Sequence, residues 1–274
     1  MIGNTSYMPG RIASFFGDEL VVGAFYNGFV LFFLSYCFLE LKPRNNILIF
    51  LILVTLLISF LIGERTNFIK SLISVILFVS LAIKINLKKK IGGLTLVLVL
   101  IFTFIYFNPA YKLRFFDQIK PLFSINGYSN FLKETQYGAH RNASVKIFRE
   151  NLYFGVGIKN FRNESPKQKY ENKEYKKTDL RQSTHPHQIH HEFLSETGLF
   201  GYISFLLFVF FSLWLGIKNY IKEKNLYQLS SIIFIMMTLM PILTSGSFLS
   251  TFTSGIFWLN YAIMISYIQK NKVS

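Results

Sequence analysis

Seven apolar runs, each near the length that crosses a bilayer, constrain this chain more than any other feature. They cover about 20–41, 46–62, 66–85, 91–108, 198–217, 227–244 and 252–268, each bounded by charges, Pro, Gly or Asn. About 20 consecutive apolar residues make one spanning helix, because hydrocarbon roughly 30 Å thick offers backbone N–H and C=O groups no partner outside the segment. Composition agrees: of 274 residues, 51% are hydrophobic, 18% aromatic and 16% charged, which excludes an ordinary soluble enzyme. The expected fold class is an all-α, polytopic transmembrane helical bundle of about seven spans with one large, partly helical loop. Between the last two runs, Pro241 and Thr244-Ser245-Gly246-Ser247 are read as a turn. The single cysteine, Cys37, lies inside an apolar run, so the chain carries no internal disulfide and no Cys-based metal site.

The charges give these runs an orientation. There are 29 Lys and Arg against 14 Asp and Glu, a net of +15. If the spans alternate, Lys42, Arg44, Lys84, Lys88, Lys89, Lys90, Lys218, Lys222, Lys224, Lys270 and Lys272 all fall on one side. The opposite short connections hold only Glu64-Arg65 and the uncharged stretch 245–251, so the basic side is cytoplasmic and the N-terminus lies outside. That divides the chain into N-terminal spans (1–108), a large external loop (109–197) and C-terminal spans (198–274). The loop is itself basic over 109–190, with 15 Lys and Arg against 7 Asp and Glu. Long segments are exported despite such charge, and loops of this length are usually functional. Apolar residues Ala143, Ile147 and Val145, Phe148, Leu152 recur at helical spacing from Ala139 to Leu152, and Gly155-Val156-Gly157 ends that element. The polar stretch 164–182 is expected to be mobile. Positive charge alone does not make a nucleic-acid site: no binding motif is present and the loop is extracytoplasmic, so no nucleic-acid partner is expected.

Chemistry concentrates in His185-Pro186-His187-Gln188-Ile189-His190-His191-Glu192, which holds four of the five histidines, His140 being the fifth. Three readings stay open. An i,i+4 pair such as His187 and His191 can share a helix face and ligate a metal, although the order fits neither HExxH nor HxxEH. An imidazole with an ordinary pKa near 6.5 suits general acid/base work. Interfacial histidines also simply snorkel to the membrane surface. Arg11, Arg65 and Arg141 fall on the same outer side. Guanidinium offers fixed bidentate donors to diphosphate or carboxylate, while its plainer role is an interfacial anchor. Cations and imidazoles converging on one face suit a phosphorylated, membrane-delivered substrate.

The run from His185 through Glu192, continuing as Phe193-Leu194-Ser195-Glu196-Thr197-Gly198-Leu199-Phe200-Gly201, resembles the "HPHN…L…E.G..G" signature of the O-antigen ligase/polymerase family of bacterial membrane glycosyltransferases. Three further pieces follow the family's order: Arg11 with Phe16-Gly17-Asp18-Glu19, Gly63-Glu64-Arg65-Thr66, and Arg141 through Phe148 with Gly155-Val156-Gly157-Ile158-Lys159-Asn160-Phe161. Gln188 stands where the family has Asn, and Glu64 where it has a small residue. The resemblance implies a multi-pass protein of the bacterial inner membrane whose large loop faces the periplasm. It further implies metal-independent, inverting transfer of glycan from a polyprenyl-diphosphate carrier to a lipid or glycan acceptor hydroxyl, with no cofactor. His187 would be the base, Arg11, Arg65 and Arg141 the diphosphate-binding residues, and His185, Gln188 and Glu196 their supports. Typical members have further upstream spans, so the chain is expected to be the C-terminal part of a longer transferase. The alternatives are a transporter of an anionic solute and an inactive fragment of such a transferase.

Overall fold

A computed structural model describes residues 10–12, 21–82 and 86–273; Phe16-Gly17-Asp18-Glu19 and Lys84 lie outside the described residues. The described residues are helical and contain no β-strand. Helices α1 (Val22–Tyr36), α2 (Asn45–Leu61), α3 (Arg65–Ala82) and α4 (Leu87–Phe107) occupy the first four apolar runs. Then come α5 (Pro109–Lys112), α6 (Gly127–Glu134), α7 (Gln136–Glu150) and α8 (Phe161–Glu164). The last three runs become α9 (Ile189–Glu223), α10 (Leu226–Thr238) and α11 (Thr251–Val273). Among the described residues, four segments are long and apolar enough to cross a membrane: Val22–Leu41, Arg65–Ala82, Lys90–Phe107 and Ile189–Glu223. α2 and α10 are apolar but shorter, at 17 and 13 residues.

Local chemistry sets several boundaries. α1 runs on as a π-turn (Cys37–Leu41) and stops where Lys42 turns left-handed ahead of Pro43. Asn108 accepts from Ala110 N and Tyr111 N, capping α5, whose first residue is Pro109. α10 ends at Thr238, so the chain turns before Pro241 as its sequence suggests.

The described chain divides into two compact units, residues 1–118, 216–237 and 256–274, and residues 119–215 and 238–255. In the first, α3 packs on α1 and α2. Lipid gives apolar helices no reason to prefer each other over acyl chains, so close packing and interhelical hydrogen bonds hold them together. Gly28 provides the first: a Cβ there would meet Ile256 Cγ2 at 2.5 Å. The second runs through the bundle, with Asn27 Nδ2 donating to Asn67 O at 3.0 Å, Ser59 Oγ bonded to Ser71 Oγ at 2.7 Å, and Ser35 Oγ paired with Ser230 Oγ at 2.8 Å. α4 instead leaves Phe102, Tyr106 and Phe107 largely exposed, a surface suited to lipid contact.

In the second unit, α7 buries Ala139, His140, Ala143, Ser144 and Ile147, one stripe at helical spacing. The Val145 and Phe148 positions expected to share that role are only half-buried. Ala143 and Ile147 form a core with Phe161 and Tyr170, and Val156 packs against it. The polar stretch 164–182 is therefore anchored, contrary to expectation. Tyr170 is fully buried, with its hydroxyl donating to Glu150 Oε2 at 3.0 Å, and buried Arg181 donates to Thr178 O and Pro166 O.

Candidate functional site

The His185–His191 region is fastened at many points. Gln188 precedes α9 and caps it: its Oε1 accepts from His191 N at 3.0 Å, the N-terminal bond that Asn commonly makes. Its Nε2 donates to Pro241 O at 2.9 Å. Ser245 N donates to His187 O at 2.9 Å, holding His187 at φ 55, a left-handed conformation that costs a non-glycine residue about 1 kcal/mol. Ser144 Oγ on α7 donates to His191 O at 2.8 Å.

Two carboxylates tie α9 to its surroundings. Glu192 accepts from Ser247 Oγ and from Phe248 N. Glu196 accepts from Lys159 N at 2.6 Å and Phe161 N at 3.1 Å, so this supporting residue holds the segment following the Gly155-Val156-Gly157 turn. α9 then breaks at Gly198, whose φ of 67 and ψ of −167 are non-helical. The freed backbone groups find partners in that same segment: Val156 N donates to Ser195 O, Gly157 N to Glu196 O, and Leu199 N to Leu152 O. The sequence reading starts its fifth span at residue 198; the helix in fact begins at Ile189, and Gly198 is a kink within it.

The histidines sort themselves by their ring bonds. His190 is saturated, donating from Nε2 to Leu239 O and accepting at Nδ1 from Tyr202 Oη. His140 is buried and donates from Nε2 to Leu180 O at 2.7 Å, while His185 Nδ1 pairs with Thr184 Oγ1. Among the described residues, neither the His187 ring nor the His191 ring makes a hydrogen bond. His187 lies between two imidazoles, its centroid 5.0 Å from stacked His140 and 4.1 Å from His185, with Tyr137 edge-on at 5.8 Å. Burial, reinforced by His185 and His140, pushes the His187 pKa down to about 3. Burial, with His140 and Arg162, pushes His185 down to about 4, and burial lowers His140 against the opposing Leu180 bond. All three are neutral at pH 7, and His187 alone of them has a ring free of hydrogen bonds. Among the described residues, no group of three or more His, Cys, Asp or Glu side chains is arranged to hold a metal ion.

The arginines divide between the units. Arg141 belongs with the histidines: it donates from Nη1 to Tyr128 Oη at 3.0 Å and acts electrostatically on His191. Arg11 and Arg65 belong to the first unit, around the α2–α3 turn. Arg11 forms an ion pair with Glu64 at 3.5 Å, and Glu64 Oε1 also accepts from Gly23 N at 3.1 Å. Glu64 thus serves Arg11 and the start of α1. Arg65 donates to Arg114 O at 3.1 Å, and Arg114 donates to Gly63 O. Sequence reasoning missed Arg114, which no spacing rule marks; it marked His191 only as the i,i+4 metal partner of His187, a pair that does not share a helix face, because His187 precedes α9 with φ 55.

An all-helical membrane protein with clustered imidazoles and nearby guanidinium groups is the class defined so far. The O-antigen ligase family model matches residues 47–206, more than half of the chain, and the chain belongs to that family. A comparison with curated proteins returned no match. Membership gives it an O-antigen ligase or polymerase type of role in surface-polysaccharide assembly, and glycosyltransferase-like activity.

Proposed function

We propose that the protein transfers glycan from a polyprenyl-diphosphate carrier to an acceptor hydroxyl at the periplasmic face of the bacterial inner membrane, as a polymerase or a ligase. In this reading the seven apolar helices α1–α4 and α9–α11 all span, the N-terminus is outside, and residues 109–197 form the periplasmic loop. The acceptor is a lipid or a second glycan.

One observation carries the reading: His187 presents an uncharged imidazole, free of hydrogen bonds among the described residues, on a turn fastened at its backbone. Such a ring accepts a proton, and His187 serves as the general base. The acceptor O–H bond breaks, its proton passes to His187, and the oxygen bonds to the anomeric carbon. The bond from that carbon to the diphosphate breaks on the opposite face, inverting the centre, and its electron pair leaves with the diphosphate. Arg141 stabilises that charge, and the family resemblance gives Arg65 and Arg11 the same task. A diphosphate is already a good leaving group, so fixed cations suffice without metal or cofactor. His185, Gln188 and Glu196 hold the base in place.

The test is His187→Ala in cells lacking the native activity, scored by the length pattern of their surface polysaccharide. Loss of long chains is expected; an unchanged pattern removes His187 from catalysis. Membranes incubated with lipid-linked oligosaccharide, with and without chelator, test metal independence: product formation should not change on chelation.

A further inference from the structure

His140 is 4% exposed, and its ring lies 5.0 Å from that of His187 with 23° between their planes. Its Nε2 donates to the Leu180 carbonyl, which fixes the tautomer and the ring plane and leaves buried Nδ1 without a partner among the described residues. Ring and anchor belong to different elements, α7 and the 3-10 turn Thr178–Arg181. That turn packs along α7, and Arg181 clamps it through Thr178 O and Pro166 O. The polar stretch 164–182 thereby becomes the backing of a flat, immobile surface beneath the His187 imidazole. His187 needs one, because no hydrogen bond of its own fixes how its ring is turned.

We propose that His140 is a positioning residue for His187, a pinned stacking platform that orients the base and opposes its protonation before an acceptor arrives. The inference rests on the reading of His187 as the base. Two imidazoles stacked this closely cannot both become charged without strong repulsion, so a neutral His140 accompanies the productive form. The other titratable or charged groups on the elements packed around the pair are His185 on the turn, Tyr137 and Arg141 on α7, Arg162 on α8, Asp179 and Arg181 on the 3-10 turn and His191 on α9. Asp179, the one carboxylate among them, is exposed to solvent, and apart from Tyr137 the rest are cations or imidazoles that do not favour a charged His140.

The test uses purified full-length protein in nanodiscs, with lipid-linked glycan extracted from the cells that make it. Rates are expressed per folded molecule. His140→Ala should lower kcat by about tenfold or more with KM within about twofold, the signature of a misdirected base rather than lost binding. His140→Phe keeps a flat ring and should recover most of that loss, while the acid limb of its pH–rate profile moves to higher pH because one repelling imidazole is gone. Wild-type kcat in His140→Ala, or an unmoved acid limb in His140→Phe, overturns the proposal. His187→Ala run alongside separates the two levels. If it stays active, the reading of the base fails; if it is dead while both His140 variants are normal, only the positioning role fails.

Discussion

Gly155 lies against the backbone of Glu196 so closely that a Cβ on it would sit 2.4 Å from the Glu196 carbonyl carbon. Gly198 does the same in return, its Cβ position lying 2.4 Å from the Tyr153 carbonyl carbon and oxygen. Both glycines have positive φ, 65 and 67. Gly155→Ala and Gly198→Ala should therefore each cost at least about 2 kcal/mol, combining left-handed strain with a forced backbone shift. Thermal unfolding in detergent checks this. Wild-type midpoints in both variants would mean that the interlock is not the support it looks to be.

The imidazole cluster makes stability depend on pH. His185 and His187 have folded pKa values of about 4 and about 3, and an unfolded histidine titrates near 6.5. The unfolded chain thus binds more protons between those limits, so stability is greatest above about 6.5 and falls as pH drops toward 4. Unfolding midpoints measured from pH 8 to pH 4 should show this decline, and His185→Phe should flatten it.

Arg11 and Glu64 should behave as a coupled pair. Glu64 is buried, and its remaining partners among the described residues are the neutral Gly23 N and Asn67 Nδ2, so removing its cation leaves a carboxylate without a charged partner there. Arg11→Ala is expected to destabilise more than Arg11→Ala/Glu64→Ala, and a double-mutant cycle should return a coupling of about 1 kcal/mol or more. Additive effects would show that the pair contributes nothing beyond its separate members.

Lys70 on α3 is 8% exposed and has neither an ion-pair nor a hydrogen-bond partner among the described residues. An unpaired lysine in a membrane helix costs up to about 3 kcal/mol, less where its ammonium reaches water near the helix end. Lys70→Met should raise the unfolding midpoint and leave glycan transfer intact. Loss of transfer would point to an anion at this depth, the arrangement that the transporter alternative requires.

The helices were legible because apolar runs report burial in lipid directly, and the run from His185 to Gly201 was legible because its residue order is specific. Partners distant in sequence were not. Nothing near Glu64 announces that it meets Arg11, 53 positions earlier, and nothing in the Lys- and Glu-rich stretch 164–182 shows that Tyr170 completes the core on α7. Gly198 is visible in the sequence only as part of the signature run and as the start of the fifth apolar run. Its kink is evident only beside the turn at 152–157, whose backbone donates to and accepts from the groups freed there. His187 was singled out by resemblance, whereas His190 and His191 could be told apart only by their ring bonds.

The family match ends at residue 206, yet the turn bearing His187 and the first turns of α9 donate to Leu239 O and Pro241 O and accept from Ser245 N, Ser247 Oγ and Phe248 N. Portability follows from that attachment. A chimaera that transplants only the matched region into another member's scaffold would separate the imidazoles from their moorings. Carrying 238–255 along with it should be the difference between an inert graft and a working one.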